Sequence, residues 1–168
     1  MELLTLGSLE ISPVRTEVLE FFNELTATLQ PIMKNHEMEL MVLFPKRKVY
    51  INIDRELIKS LIFNLIDNSI KASSPYSKVY LAVTAENNQV TVMVIDEGLG
   101  IPEDQIPYLT EPFFTLDKAR TRKHGGAGLG LALCSEIAAA HGSKLQIFSI
   151  LGEGTSISFV LDEVIDHD

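Results

Sequence analysis

Asn64, Asn68 and Lys71 lie four and three residues apart in the segment "RELIKSLIFNLIDNSIKAS". At about 100° per residue a helix gathers them into a stripe about 60° wide, beside an apolar face of Ile58, Leu61, Ile62 and Leu65. Asparagine is a mediocre helix former, and two of them next to a core surface need partners for their amides. A nucleotide with its metal ion would supply those partners: amide oxygens suit Mg²⁺, and a lysine ammonium suits phosphate. A solvated helix face bearing two incidental asparagines is the plainer alternative.

A second group follows in "VMVIDEGLGIP", where an apolar strand runs into Asp96, Gly98 and Gly100. A carboxylate at a strand end can accept a hydrogen bond from an exocyclic amine such as that of adenine, and glycines let a ring approach the backbone. The bland reading is a tight turn with a surface aspartate.

The third, "RKHGGAGLGLAL", packs four glycines into the six residues Gly125 to Gly130 and continues as an apolar helix. It does not fit G-x-G-x-x-G in any register, and Leu131 and Ala132 stand where a P-loop needs Lys and Ser or Thr. What remains is a glycine-rich helix entrance whose N–H groups and positive dipole end suit phosphate oxygens, with a bare hinge as the alternative.

The elements that position these groups can be read from periodicity and punctuation. Val14, Val18, Phe21, Phe22, Leu25, Leu29 and Ile32 recur at helical spacing after Pro13, which predicts a first helix. "LMVLF" and "KVYIN" predict short strands on either side of Pro45. Asp54 is the expected N-cap of the asparagine-bearing helix, and Ser73, Ser74 and Pro75 end it. "KVYLAVTAE" and "QVTVMVID" predict a hairpin turning at Asn87 and Asn88. From Glu97 to Gly126 the chain has no sustained periodicity and carries three prolines, which predicts a long functional loop with at most a helical turn or two. A helix from about Ala127 to His141, closed by Gly142, and a hairpin of "KLQIFSI" and "SISFVLD" complete the chain.

Composition narrows the classes. At 168 residues the chain is one domain with an adequate core, and its 46% apolar and 22% charged residues are those of an ordinary globule. A net charge of −9 argues against a nucleic-acid surface. No apolar run reaches the roughly 18 residues of a membrane span, and "MELLTLGSLE" lacks the basic region of a signal peptide. The single cysteine, Cys134, fits a reducing compartment and falls in a helical apolar pattern, which predicts burial. The four histidines show no zinc-site spacing.

In this order the segments resemble the boxes of the sensor histidine kinase catalytic domain, within the ATPase superfamily that includes gyrase, Hsp90 and MutL. "NLIDNSIKAS" is similar to its N box, "DEGLGIP" to its G1 box, "EPFFT" to its F box and "GGAGLGLAL" to its G2 box. The resemblance runs from about Glu17 to Leu161. It implies an α+β fold: a two-layer α/β sandwich of the Bergerat type, with a mixed five-stranded sheet covered on one face by three helices.

By the same resemblance, Asp96 and Thr155 would meet the adenine, with Gly98, Gly100 and Ile101 beside it. Asn68 would ligate Mg²⁺, and Asn64 and Lys71 would contact the metal-phosphate region. Gly126, Gly128 and Gly130 would wrap the triphosphate of ATP, with Leu129 and Leu131 also among the ATP-binding residues. A lid anchored by Phe113 and Phe114 would cover the nucleotide, with Arg120 and Arg122 as candidates for the γ-phosphate. Ala127 departs from the serine or threonine frequent in the family and removes a hydroxyl contact.

Asn64 bears on the reaction. Gyrase-like ATPases and anti-sigma serine kinases usually have glutamate there to activate water or a hydroxyl, and asparagine cannot accept that proton. Neutral imidazole is already nucleophilic, so histidine phosphorylation is favoured. The resemblance implies a cytoplasmic kinase domain whose partners are a histidine-bearing dimerisation domain and a response regulator, with neither nucleic acid nor membrane contacted by this segment and a monomer when isolated. Residues 1–13 resemble the end and exit linker of such a dimerisation domain, and 14–168 the catalytic domain. His36-Glu37 shares only two letters with the acceptor-histidine box and precedes a strand. An anti-sigma-type serine kinase and a non-catalytic nucleotide-gated interaction module are the rival readings.

Overall fold

The structure, a computed structural model, describes residues 9–112 and 130–165. Its first element departs from the helical expectation. Residues Val14–Glu17 form a strand, β1, and the first helix, α1, begins at Val18 and ends at Asn35. Val14 and Val18 satisfy a helical spacing, but β1 pairs antiparallel with β3 (Tyr50–Ile53), matching Val14 to Ile53 and Glu17 to Tyr50. Val14 is consequently exposed, while Thr16 is buried. Glu17 then caps α1, its carboxylate accepting from the N–H of Leu19 at 2.7 Å. Met33, not Ile32, completes the buried stripe, and Ile32 is 38% exposed.

Strand β2 (Glu39–Leu43) does not pair with β3 across Pro45: the two enter different sheets. β2 runs parallel to β4 (Lys78–Glu86) at the edge of a five-stranded sheet ordered β2-β4-β5-β7-β6. The remaining pairs, with β5 at Gln89–Asp96, β6 at Gln146–Ile150 and β7 at Gly154–Asp162, are antiparallel, so the sheet is mixed. Asn87 and Asn88 both take positive φ, 53° and 62°, as a tight hairpin turn requires.

One face of this sheet carries the core. Val79, Leu81 and Val83 of β4, Val90, Val92 and Val94 of β5, and Ile157, Phe159 and Leu161 of β7 pack into a single apolar cluster with three helices. The helices are α1, α2 (Arg55–Ala72) and α3 (Gly130–Ala140). The chain therefore folds as the expected two-layer α+β sandwich, with the β1–β3 ribbon as an addition.

Asp54 caps α2 as expected, accepting from Leu57 N–H at 3.2 Å and from Ser12 N–H at 3.0 Å. α3 closes in a Schellman arrangement: Ser143 N–H reaches Ala138 O at 2.8 Å, Gly142 N–H reaches Ala139 O at 2.9 Å, and Gly142 has φ 74°. A 3₁₀ helix at Glu103–Tyr108 lies within the segment expected to be a loop. Arg47 and Glu163 form a two-bond ion pair, both contacts at 2.8 Å, which ties the β2–β3 connection to the chain after β7.

Candidate functional site

Helix α2 supplies the first set. Asn64, Asn68 and Lys71 are all half-buried on it, at the border between core and solvent. Asn64 Oδ1 lies 3.8 Å from where a Cβ on Gly130 would stand, which brings the asparagine helix against the described start of α3. Lys71 turns toward Asp67, Nζ to Oδ2 at 2.9 Å, with a lysine side chain 36% exposed. A helical pair of this kind contributes a few tenths of a kcal/mol and gives way readily to a stronger anion.

The turn after β5 supplies the second set. Asp96 is buried, 7% exposed, and its Oδ1 accepts from Gly98 N–H at 2.9 Å. Gly98 sits against the C-terminal end of α2: a Cβ there would lie 2.5 Å from Ala72 O, the atom that also accepts from Leu99 N–H at 3.0 Å. At Gly100, φ is 72° and a Cβ would overlap the Ile150 carbonyl oxygen. These two glycines thus already answer to contacts within the protein, with α2 on one side and the β6–β7 turn on the other.

Strands β6 and β7 supply the third. Thr155 is 8% exposed and is the register partner of Asp96 across the β5–β7 ladder. Ser149, not singled out from the sequence, joins this end of the sheet. Its hydroxyl accepts from Ile101 N–H at 2.8 Å, donates to Gly154 O at 2.9 Å and lies 2.8 Å from Thr155 Oγ1. Ile101 is buried there. The sequence signal for Ser149 was a polar residue in an inward register: it shares the core-side parity of Ile147 in "QIFSI".

Leu131 is partly buried against the core cluster, so its side chain supports α3. The described residues therefore bring together Asp96, Gly98 and Thr155 at one end of α2, Ile101 beside Thr155 through Ser149, and Asn64 with Gly130 further back along the helix. Phe113, Phe114, Arg120, Arg122, Gly126, Gly128 and Leu129 lie outside the described residues.

Two supporting groups are electrostatically defined. Asp54 is held below the usual carboxylate range, chiefly by the Ser12 N–H, against partial desolvation, with help from Leu57 N–H. His141 Nε2 accepts from the Asp54 N–H at 3.0 Å, so the ring proton is on Nδ1, facing Ile137 O at 2.8 Å. The start of α2 is thereby pinned to the end of α3. Cys134 is buried, and burial pushes its thiol up to about 12. Among the described residues no helix is long and apolar enough to cross a membrane.

Residues 53–165 match the family model described as histidine kinase-, DNA gyrase B- and HSP90-like ATPase. Over 150 residues the chain is 33% identical to sensor histidine kinase YkoH of Bacillus subtilis (strain 168), covering 89% of this chain and 33% of that protein. It is 38% identical over 130 residues to sensor histidine kinase WalK of the same organism, covering 76% of this chain and 21% of WalK. The chain thus spans a third or less of these two relatives. The fold is similar to that of the catalytic domain of histidine kinase ThkA, with a TM-score of 0.78 at 23% identity, covering 90% of this chain and 96% of that one. With residues 53–165 matched, and the buried Asp96 and the α2 asparagines inside that span, the chain belongs to the histidine kinase-, DNA gyrase B- and HSP90-like ATPase family.

Proposed function

We propose that this chain carries the cytoplasmic ATP-binding catalytic domain of a sensor histidine kinase, residues 14–168, entered through a linker at residues 1–13. It passes the γ-phosphoryl group of ATP to a histidine on a dimerisation domain, for relay to a response regulator. The observation that carries this reading is the buried Asp96 carboxylate beside Thr155, at the same end of α2 as Ala72, in a chain of this family. Asp96 Oδ1 takes the Gly98 N–H, and a carboxylate has lone pairs for more than one donor, so it suits an additional donor such as the exocyclic amine of adenine.

Helix α2 then acts as a spacer. Asn64 lies two turns before Ala72, about 12 Å along the axis, so the helix separates a base-binding end from a phosphate end. At the phosphate end Asn64 stands beside Gly130. Asn64 and Asn68 offer hard amide oxygens of the kind Mg²⁺ accepts, and Asn68 is the residue we assign to hold it. When bound, the ion neutralises charge on the phosphate oxygens. Lys71, released from Asp67, adds a point charge for a phosphate.

The transfer itself needs no base from Asn64. A neutral imidazole attacks the γ-phosphorus as the bond to the β-phosphate oxygen breaks, and ADP leaves, so positioning and cations dominate the rate. Arg120 and Arg122 are the candidates for that charge, under a lid anchored by Phe113 and Phe114. Gly126, Gly128 and Gly130 are assigned to the triphosphate, and Leu129 to ATP binding.

Calorimetric titration with Mg-ATP tests the binding, and addition in trans of a histidine-bearing dimerisation domain tests the transfer. An acid-labile, base-stable phosphoprotein is expected. Bound ATP with no phosphohistidine would favour a nucleotide-gated interaction module, and acid-stable transfer to a serine partner would favour the serine kinase.

A further inference from the structure

The Ser149 hydroxyl is saturated. It has one hydrogen and two lone pairs. Ile101 N–H, 2.8 Å away, can only donate, and therefore takes one lone pair. Gly154 O, 2.9 Å away, can only accept, and therefore takes the hydrogen; otherwise two oxygens would face each other at that distance with nothing between them. The remaining lone pair points to Thr155 Oγ1, 2.8 Å away, so the hydrogen in that contact must belong to Thr155.

We infer that Ser149 is a positioning residue of the base site: by taking the Thr155 hydroxyl hydrogen, it leaves Thr155 able to meet a ligand only as an acceptor. The inference rests on the reading of this site as the adenine end of a nucleotide pocket and deepens it into a statement about base selectivity. Asp96, the register partner of Thr155, carries a second acceptor group in its carboxylate. We assign Thr155 to the C6 side of the base, where adenine carries an amino donor and guanine a carbonyl acceptor; facing that position, a hydroxyl that cannot donate favours adenine and disfavours guanine, whose donors lie instead at N1 and C2. A free threonine hydroxyl would rotate to suit either.

The same three bonds explain why the geometry holds. Ser149 ties together the turn after β5, strand β6 and the start of β7, and Gly152 N–H adds a bond to Leu99 O at 2.7 Å. Thr155 sits on a regular strand and is not free to move away from Ser149.

The test is titration of ATP and of GTP, each with Mg²⁺, into the wild-type chain, Ser149→Ala, Thr155→Val and the double variant. The wild type should prefer ATP. Ser149→Ala should lower the ATP-to-GTP affinity ratio by about three- to tenfold, the worth of one neutral hydrogen bond. Thr155→Val should lower it similarly, and the double variant no further than Thr155→Val alone. General loosening of the site would weaken both nucleotides alike and leave the ratio in place. Should Ser149→Ala fail to fold, Ser149→Cys retains volume with a weak thiol acceptor and should lower the ratio in the same direction. An unchanged ratio in a folded Ser149 variant, a further full drop in the double variant, or equal wild-type affinity for the two nucleotides overturns the inference alone. Wild-type binding of neither nucleotide overturns the underlying site reading as well.

Discussion

Asp96 and Thr155 stand opposite each other as partners in the β5–β7 ladder, a carboxylate and a hydroxyl both buried on the helix side of the sheet. Neighbouring positions of that face, Val94 and Ile157, are apolar core, so the sheet changes character at this end. Burying polar groups there is tolerated because each has a partner within the protein, Gly98 N–H for Asp96 and Ser149 for Thr155, and the lone pairs that remain are the ones we assign to a bound base.

Asp96→Asn should preserve shape and keep an acceptor for the Gly98 N–H while removing the charge. Charged hydrogen bonds are worth roughly 1.5–3 kcal/mol, so ATP affinity should fall about ten- to a hundredfold. Calorimetry on the folded variant checks this, and unaltered affinity would remove Asp96 from the site.

Gly100→Ala should be tolerated poorly. Its φ of 72° is left-handed, and the added Cβ would meet the Ile150 backbone oxygen, which no rotamer change relieves. The conformational cost alone is about 1–2 kcal/mol, and the clash adds to it. Urea unfolding should show a loss of at least about 2 kcal/mol, with weakened nucleotide binding because the turn after β5 shifts.

Asp54→Ala should cost about 1 kcal/mol at neutral pH, the usual worth of an N-cap. Because the folded carboxyl titrates below its unfolded value of about 3.9, its contribution is present above that value. It is lost as pH falls through the lower folded one. Wild-type and variant stabilities measured by urea unfolding should therefore converge in acid; a gap that stays constant would deny the carboxylate its capping role.

Cys134, with its thiol pushed to about 12 by burial, should not react with a thiol reagent at mildly alkaline pH while the chain is folded. Labelling should track unfolding as denaturant is added. Rapid labelling of the native protein would mean that α3 opens far more readily than its packing implies.

Much of this protein is legible in short stretches. The Asp54 cap, the Asn87-Asn88 turn and the Gly142 stop each depend on a few adjacent residues, and the structure has all three. The order of the asparagine helix, the Asp96 turn and the glycine-rich helix entrance pointed to the family that residues 53–165 match.

Local pattern could not decide whether Val14–Glu17 was helix or strand, because its pairing partner, β3, lies 33 to 39 residues downstream by register, from Glu17 opposite Tyr50 to Val14 opposite Ile53. Nor could it tell that β2 and β3 part company, or that Gly98 and Gly100 are small because Ala72 and Ile150 press against them. The Ser149 node joins three segments whose only sequence trace is one serine at an inward position. Caps, turns and amphipathic faces are encoded by neighbours along the chain; ladder partners and close backbone approaches are chosen by competition among distant segments, and only the folded core settles it.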